Sequence, residues 1–108
     1  MIKYQTDKTI KDIIANNEKD NIIMVFGKGT NCSVCHAIED RVNKTFPDLY
    51  PNLPIHFINI DDSPSFRGQH LIFSVPTLLI FEGSKEVHRE SRIVDFNKLY
   101  KVLDLLTT

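Results

Sequence analysis

A buried strand that leads directly into a cysteine pair decides the fold of this chain: residues 22–35 read IIMVFGKGTNCSVC. Residues 22–26 are continuously apolar and β-branched at three positions, which is typical of a central strand covered on both faces. Residues 27–31 break this strand, and Thr30 or Asn31 is a good capping residue for a helix that begins near Cys32. The stretch therefore predicts a strand, a loop and a helix whose first turn holds both cysteines.

Strands and helices alternate along the rest of the chain. Such alternation requires right-handed crossovers, so the first strands should pair in parallel and the last two should add an antiparallel hairpin. The predicted class is α/β, with a mixed central sheet, helices on both faces and the order βαβαβαββα. The predicted elements are an edge strand over 2–5, a helix capped by Thr6 or Asp7, a strand over 22–26, a helix from Cys32, a strand over 55–60, a short helix starting at 61–64, strands over 77–81 and 85–90 joined by Gly83-Ser84, and a helix over 95–106.

The helix that begins near Cys32 should bury one face. Cys35, Ile38 and Val42 recur at helical spacing and should pack on the sheet, whereas residues 39–41 should face water. Three prolines from Pro47 onward should prevent any long continuation of this helix.

Composition narrows the possible function classes. The chain has 108 residues and a formal net charge of −1, so we expect a single domain over 1–108 without the charge excess that favours nucleic acid or an anionic membrane surface. No apolar run approaches the ~20 residues of a membrane span, and the N-terminus lacks the apolar segment of a signal peptide. We therefore expect a cytoplasmic protein that acts without a membrane or nucleic acid.

The cysteine pair carries the candidate chemistry. Two cysteines are too few for a secreted disulfide scaffold, and a C-x-x-C pair in a reducing compartment favours catalysis or metal binding. At the start of a helix, Cys32 would lie near unpaired backbone N–H groups and the positive end of the helix dipole, which stabilise a thiolate. Cys35 lies one turn later on the same face. This arrangement predicts thiol–disulfide exchange, with Cys32 as nucleophile and Cys35 resolving the mixed disulfide.

A second motif, Val75-Pro76-Thr77, places a proline directly before an apolar strand. Proline lacks the N–H that an interior strand position requires, so it belongs at the start of the strand, where a cis bond is one reason for its presence. With this motif, the C-x-x-C helix start and the strand order, the sequence resembles the thioredoxin family over essentially its whole length. The segments 59–61 and 76–79 look like that family's third strand end and its cis-proline strand.

The resemblance implies a thioredoxin-like fold and a role for each matching residue. Cys32 would be the exposed nucleophile and Cys35 the buried resolving thiol. Pro76 would be a cis-proline beside the pair, and the backbone of Val75 would pair with an extended substrate segment. The implied partners are disulfide-containing proteins or small thiols as substrates and a flavoprotein reductase that uses NADPH as electron donor. No metal or organic cofactor is expected in the chain.

Three departures from the family pattern bear on activity. The tryptophan before the first cysteine is replaced by Asn31, and the Gly-Pro between the cysteines is replaced by Ser33-Val34. The buried aspartate of the preceding strand, thought to accept the proton of the resolving cysteine, is missing, since residues 24–26 are Met, Val and Phe. Glu39 or His36 could substitute for it, although the periodicity predicts that both side chains are solvated.

Other interpretations of the cysteines remain open. C-x-x-C followed by His36 matches the c-type haem attachment pattern. Two thiolates and two histidines would form a tetrahedral zinc site, but the histidines are irregularly spaced: His56 should be a strand residue, His70 should lie in a short surface helix and His88 should face outward on an edge strand. The domain could also be a non-enzymatic peptide-binding or redox-sensing module, or the thiols could be inert and buried.

Overall fold

The computed structural model describes residues 1–107, which form one five-stranded sheet and four α-helices. The observed order is the predicted one, with a short 3₁₀ turn at Ile60–Asp62 after the third strand. The elements are β1 (Tyr4–Gln5), α1 (Asp7–Ala15), β2 (Ile22–Lys28), α2 (Ser33–Leu49), β3 (Ile55–Asn59), α3 (Pro64–Gln69), β4 (Thr77–Glu82), β5 (Lys85–Ser91) and α4 (Phe96–Leu106).

The sheet has the spatial order β1-β3-β2-β4-β5. Strand β3 pairs in parallel with β1 and β2, whereas β4 pairs antiparallel with β2 and β5. The predicted mixed sheet is therefore confirmed, with β2 at its centre. Residues 23–27 of β2 are all buried, as expected of a strand with helices on both faces.

Two hydrophobic layers enclose the sheet. Helices α2 and α4 cover one face, where Phe46 and Leu99 are fully buried against Phe26 and Leu78. Helices α1 and α3 cover the other, where Ile10 and Phe66 belong to the buried cluster. The face of α2 predicted from Cys35 and Val42 is buried, because the helix shields the apolar side of the sheet from water.

Several element boundaries differ from the predicted ones by one or two residues. Strand β2 does not end at Phe26, because Gly27 and Lys28 continue the parallel register with β3. Helix α2 includes Pro47 but ends at Leu49, before Pro51, so it has no long continuation, as predicted. Proline removes a single N–H donor, and the N–H of Tyr50 still donates to the carbonyl of Phe46 at 2.7 Å, so the last turn closes.

His88 does not face outward as predicted. It lies opposite Ile80 in the β4–β5 ladder, and therefore on the face of the sheet that α4 covers. Its side chain is 13% exposed, and its Nε2 lies 2.6 Å from Oε2 of Glu90. The other oxygen of Glu90 accepts the N–H of Asp95 at 3.1 Å, at the start of α4. The His88–Glu90 pair is shielded because one face of the edge strand β5 still packs beneath the helices.

Candidate active site

Cys32 and Cys35 form a disulfide at the start of α2. The two sulfurs are 2.12 Å apart and the Cα atoms 5.3 Å apart. Cys32 is itself the N-cap residue, with extended backbone, and its Sγ accepts the backbone N–H of Cys35 at 3.2 Å. The predicted helix start is confirmed, but the prediction that Thr30 or Asn31 caps it is wrong. The sulfur of Cys32 therefore occupies the place of a capping oxygen, beside the unpaired N–H groups of the first turn.

The two cysteines differ in exposure. Cys32 is partly exposed, whereas Cys35 is 1% exposed beneath it. Cys35 is buried because it lies on the face of α2 that packs on the sheet, together with Val42 and Phe46. A substrate sulfur can approach Cys32 from solvent, but it can reach Cys35 only through Cys32.

The loop before Cys32 is held by the end of β3. The backbone N–H of Thr30 donates to Oδ2 of Asp61 at 2.7 Å, and the amide of Asn59 donates to Oγ1 of Thr30 at 3.4 Å. The hydrogen bond from Thr30 lowers the pKa of Asp61, and the positive charge of Arg67 acts in the same direction. As the sequence predicts, a hydroxyl residue, Ser63, is the N-cap of α3 and Pro64 follows in the first turn, although the Ser63 side chain makes no cap hydrogen bond. The carboxylate of Asp61 bonds to the active-site loop and not to α3.

Val75 lies against this loop beside Cys32. A Cβ placed on Gly29 would be 2.8 Å from Cγ2 of Val75 and 3.5 Å from Cβ of Cys32. The Val75–Pro76 peptide bond is cis, and Pro76 is buried with its carbonyl accepting the N–H of Arg92 at 2.8 Å. The structure therefore brings Val75, and with it the cis peptide bond, to the cysteine pair from a distant part of the chain.

Glu39 is buried, contrary to the expectation that it faces water. It is 4% exposed, and its Oε2 accepts the hydroxyl of Tyr4 at 2.8 Å. Glu39 follows Cys35 by four residues, so both lie on the face of α2 that packs on the sheet. The i, i+4 spacing from a core cysteine is the signal that could have placed this carboxylate inside. His36 is exposed, as predicted.

A cavity of about 260 Å³ joins the carboxylate to the cysteines. Its lining includes Cys32, Cys35, His36, Glu39 and Lys28. Burial and the hydrogen bond to Glu39 raise the pKa of Tyr4 to about 12, so its hydroxyl remains a donor at neutral pH. The ammonium of Lys28 lies 4.7 Å from the centroid of the Tyr4 ring.

Among the residues that the structure describes, no three His, Cys, Asp or Glu side chains are grouped so that they could hold a metal ion, and the proposed zinc site therefore has no ligand set there. His70 instead packs its ring against Phe66 and Phe81, with centroids 4.4 and 5.5 Å away. Within residues 1–107, no helix is both long and apolar enough to cross a membrane.

Cys32 is partly exposed, caps α2 and bonds to a buried cysteine one turn later, on a mixed sheet with helices on both faces. This arrangement defines the class of thiol–disulfide exchange proteins. A profile of the family Thioredoxin matches residues 1–105. The chain belongs to the thioredoxin family, which confirms the resemblance inferred from its motifs. Family and cysteine geometry together support a thiol–disulfide oxidoreductase.

Individual relatives agree with this assignment. The thioredoxin-like protein YdfQ of Bacillus subtilis is 38% identical over 67% of this chain, and the match spans 63% of that protein, less than two thirds of its length. The thioredoxin of Chlorobaculum thiosulfatiphilum is 27% identical over 92% of this chain and 90% of its own. Thioredoxin f2 of Chlamydomonas reinhardtii superposes with a TM-score of 0.84 over 99% of this chain and 97% of its own at 14% identity, which shows the shared fold.

Proposed function

We propose that this protein reduces disulfides of proteins or small thiols in the cytoplasm, cycling between a Cys32, Cys35 dithiol and the disulfide. One observation carries the proposal. The Sγ of Cys32 caps α2, is partly exposed, and lies within bonding distance of the buried Sγ of Cys35. Backbone N–H groups and the helix dipole favour the thiolate at this place, and the thiolate is the nucleophile in exchange.

The reaction takes two exchange steps. The thiolate of Cys32 attacks one sulfur of a substrate disulfide, which forms a mixed disulfide and releases the first substrate thiolate. Cys35 then loses its proton, and its thiolate attacks Sγ of Cys32. This step forms the Cys32–Cys35 bond and releases the second substrate thiolate. Two electrons pass to the substrate, and the products are a substrate dithiol and the oxidised protein.

Substrate binding is assigned to the Val75–Pro76 segment. Neither the N–H nor the C=O of Val75 makes a hydrogen bond within residues 1–107, so both are available to an extended segment that adds as a strand. Two large apolar side chains are open to solvent: Val34, between the cysteines, at 61%, and Ile93, next to the Arg92 whose N–H bonds to Pro76, at 84%. They would cover the apolar residues that flank a substrate cysteine.

An external dithiol or a reductase must restore the reduced state. We propose a flavoprotein disulfide reductase that uses NADPH as the electron donor, as the family implies. It would attack the Cys32–Cys35 disulfide through the exposed sulfur of Cys32, because Cys35 is 1% exposed.

The proposal is tested with serine variants of the two cysteines. We expect Cys32→Ser to abolish reduction of insulin by dithiothreitol above the uncatalysed background, because no other exposed thiol remains. We expect Cys35→Ser to accumulate mixed disulfides on Cys32 with substrate proteins, because the resolving thiolate is gone. Non-reducing electrophoresis with mass spectrometry measures the trapped species, and Cys32→Ser/Cys35→Ser is the control. A Cys35→Ser variant that traps nothing would contradict the assigned roles.

A peptide-binding module without turnover is the second candidate, because the exposed Val34 and Ile93 would suit a bound segment equally well. The same assay separates the two functions. A binder does not raise the rate of insulin reduction above the dithiothreitol background, whereas an oxidoreductase does so at catalytic concentration. Wild-type protein at the background rate, together with binding of unfolded peptides, would assign the binding function.

A further inference from the structure

We propose that Glu39 is the general base that removes the proton from Cys35 during the resolving step; this inference rests on the proposed exchange reaction. A carboxylate is rarely buried without a partner, because burial disfavours its charge. Glu39 is 4% exposed, and the hydroxyl of Tyr4 bonds one of its two oxygens. The other oxygen makes no hydrogen bond and is not fully enclosed, because no fully buried side-chain oxygen of the described residues lacks a partner. The structure therefore holds a mostly buried carboxylate with one oxygen able to accept a proton.

The position of Glu39 suits proton transfer from Cys35. The two residues lie four apart on the buried face of α2, and side chains at this spacing are neighbours on a helix. Both line the cavity of about 260 Å³, which also contains Cys32 on its wall. The proton can then pass from Cys35 to Glu39 directly or through one water molecule, because the cavity is lined by polar groups that can bind such a water.

The hydroxyl of Tyr4 keeps the carboxylate in place from a different element. Strand β1 pairs with β3, so Tyr4 reaches α2 across the edge of the sheet and donates to Oε2 at 2.8 Å. The charged and titratable groups around Glu39 are Tyr4 from β1, Lys28 from β2, and Cys32, Cys35 and His36 from α2. Lys28 supplies the one ammonium among these groups.

The proton balance closes without another reagent. The carboxylate of Glu39 accepts the proton of the Cys35 thiol as the Cys35 sulfur attacks Sγ of Cys32. The bond between Cys32 and the substrate sulfur breaks, and the substrate leaves as a thiolate. The protonated Glu39 then returns the proton to that thiolate or to solvent through the cavity. The substrate sulfur is reduced, the Cys35 sulfur is oxidised, and Glu39 regains its charge.

Reaction of the reduced protein with 5,5′-dithiobis(2-nitrobenzoate) tests this role, because each coloured thiolate reports one step. The first is released when Cys32 attacks, and the second when Cys35 resolves the mixed disulfide. In Glu39→Gln we expect the first phase to keep its wild-type rate. The second phase should slow at least about tenfold at pH 7, since general bases typically contribute 10²–10⁴-fold.

The pH profile separates a base from a structural support. Without Glu39, only spontaneous ionisation of a thiol with an ordinary pKa near 8.5 supplies the attacking thiolate, so the second phase should rise about tenfold per pH unit between pH 6 and 8. The wild-type profile should be shallower. Glu39→Asp retains a carboxylate with shorter reach and should recover part of the rate and the shallow profile. Asp40→Asn, an exposed carboxylate one residue away, is the matched control and should match wild type.

The outcomes are distinct. If the second phase of Glu39→Gln has the wild-type rate, the inference is overturned. It is also overturned if the second phase is slowed by the same factor at every pH, because that result indicates a purely structural role for Glu39. If Glu39→Gln does not fold, Tyr4→Phe keeps the carboxylate but frees it, and an unchanged second phase in that variant also counts against the inference. Failure of wild-type protein to reduce insulin, with two normal colour phases, would refute the proposed function alone.

Discussion

At Gly29 the cysteine loop and the cis-proline segment lie close together. A Cβ at this position would be 2.8 Å from Cγ2 of Val75, closer than nonbonded carbon atoms approach, and 3.5 Å from Cβ of Cys32. The absence of a side chain therefore allows Val75 to lie beside Cys32. The sequence shows only that a glycine lies in a loop. It does not reveal the close contact, because Val75 is far from Gly29 along the chain.

We predict that Gly29→Ala lowers the free energy of unfolding by about 1–3 kcal/mol, the usual cost of overpacking, and slows insulin reduction because Val75 or Cys32 must shift. Gly68→Ala is the control, since a Cβ there meets no atom within 4 Å. In helix α3 it should stabilise by about 0.5–1 kcal/mol and leave turnover unchanged. Urea unfolding and the insulin assay measure both; equal behaviour of the two variants would contradict the close approach seen at Gly29.

At the scale of elements, the site depends on how the 3₁₀ turn after β3 holds the loop before α2. Asp61 accepts the N–H of Thr30 at 2.7 Å, and this bond crosses between two parallel neighbours, β2 and β3. The carboxyl ends of parallel strands meet at one edge of the sheet, which is why a residue after β3 can shape the loop after β2. The loop that leads into α2 is thus positioned by the ends of two strands as well as by its own sequence.

We predict that Asp61→Asn reduces the acid sensitivity of the fold. The pKa of Asp61 is lowered from 3.8, chiefly by the N–H of Thr30, so its charge stabilises the folded state above that value. This stability is lost as pH falls below about 4 toward the lowered pKa, and Asp61→Asn should not show that loss. Urea midpoints at pH 7 and pH 3 measure the difference, and Asp62→Asn is the neighbouring control. Identical pH dependence in wild type and Asp61→Asn would contradict the hydrogen bond.

At the scale of the whole molecule, the fold partly buries two imidazoles as well as fully burying apolar side chains. Burial lowers the pKa of His56 on β3 and of His70 between Phe66 and Phe81, each from 6.5. Arg89 lowers the pKa of His70 further, whereas Glu86 raises it. The packing of the folded state therefore favours the neutral form of both rings.

The stability of the protein should therefore fall as pH decreases below 6.5. Between the lowered pKa values and 6.5, the unfolded chain binds protons at His56 and His70 that the folded state does not, so acid favours unfolding. We expect the urea midpoint to decrease from pH 7.5 to pH 5.5, and to decrease less in His56→Gln/His70→Gln. The pH slopes of the two proteins are compared, not their absolute stabilities. An equal slope would refute burial of these rings.

Element order, sheet type and the cysteine site were predictable from the sequence because they depend on local patterns. Three features each indicate local structure within a few residues: the apolar run of β2, the helical repeat of Cys35 and Val42, and the proline before β4. Strand alternation then leaves few topologies. These signals sufficed to place Cys32 at a helix start and to name the family before any contact was known.

The tertiary structure alone decided which charged groups enter the site. Glu39 has the polarity of a surface residue, and its burial depends on Tyr4, 35 positions earlier, which supplies the hydroxyl that makes burial of one oxygen tolerable. Asp61 turns toward Thr30 for the same reason, across 31 positions. Periodicity reports which face of a helix is apolar, whereas the burial of a polar side chain is determined by the partner that another element brings to it.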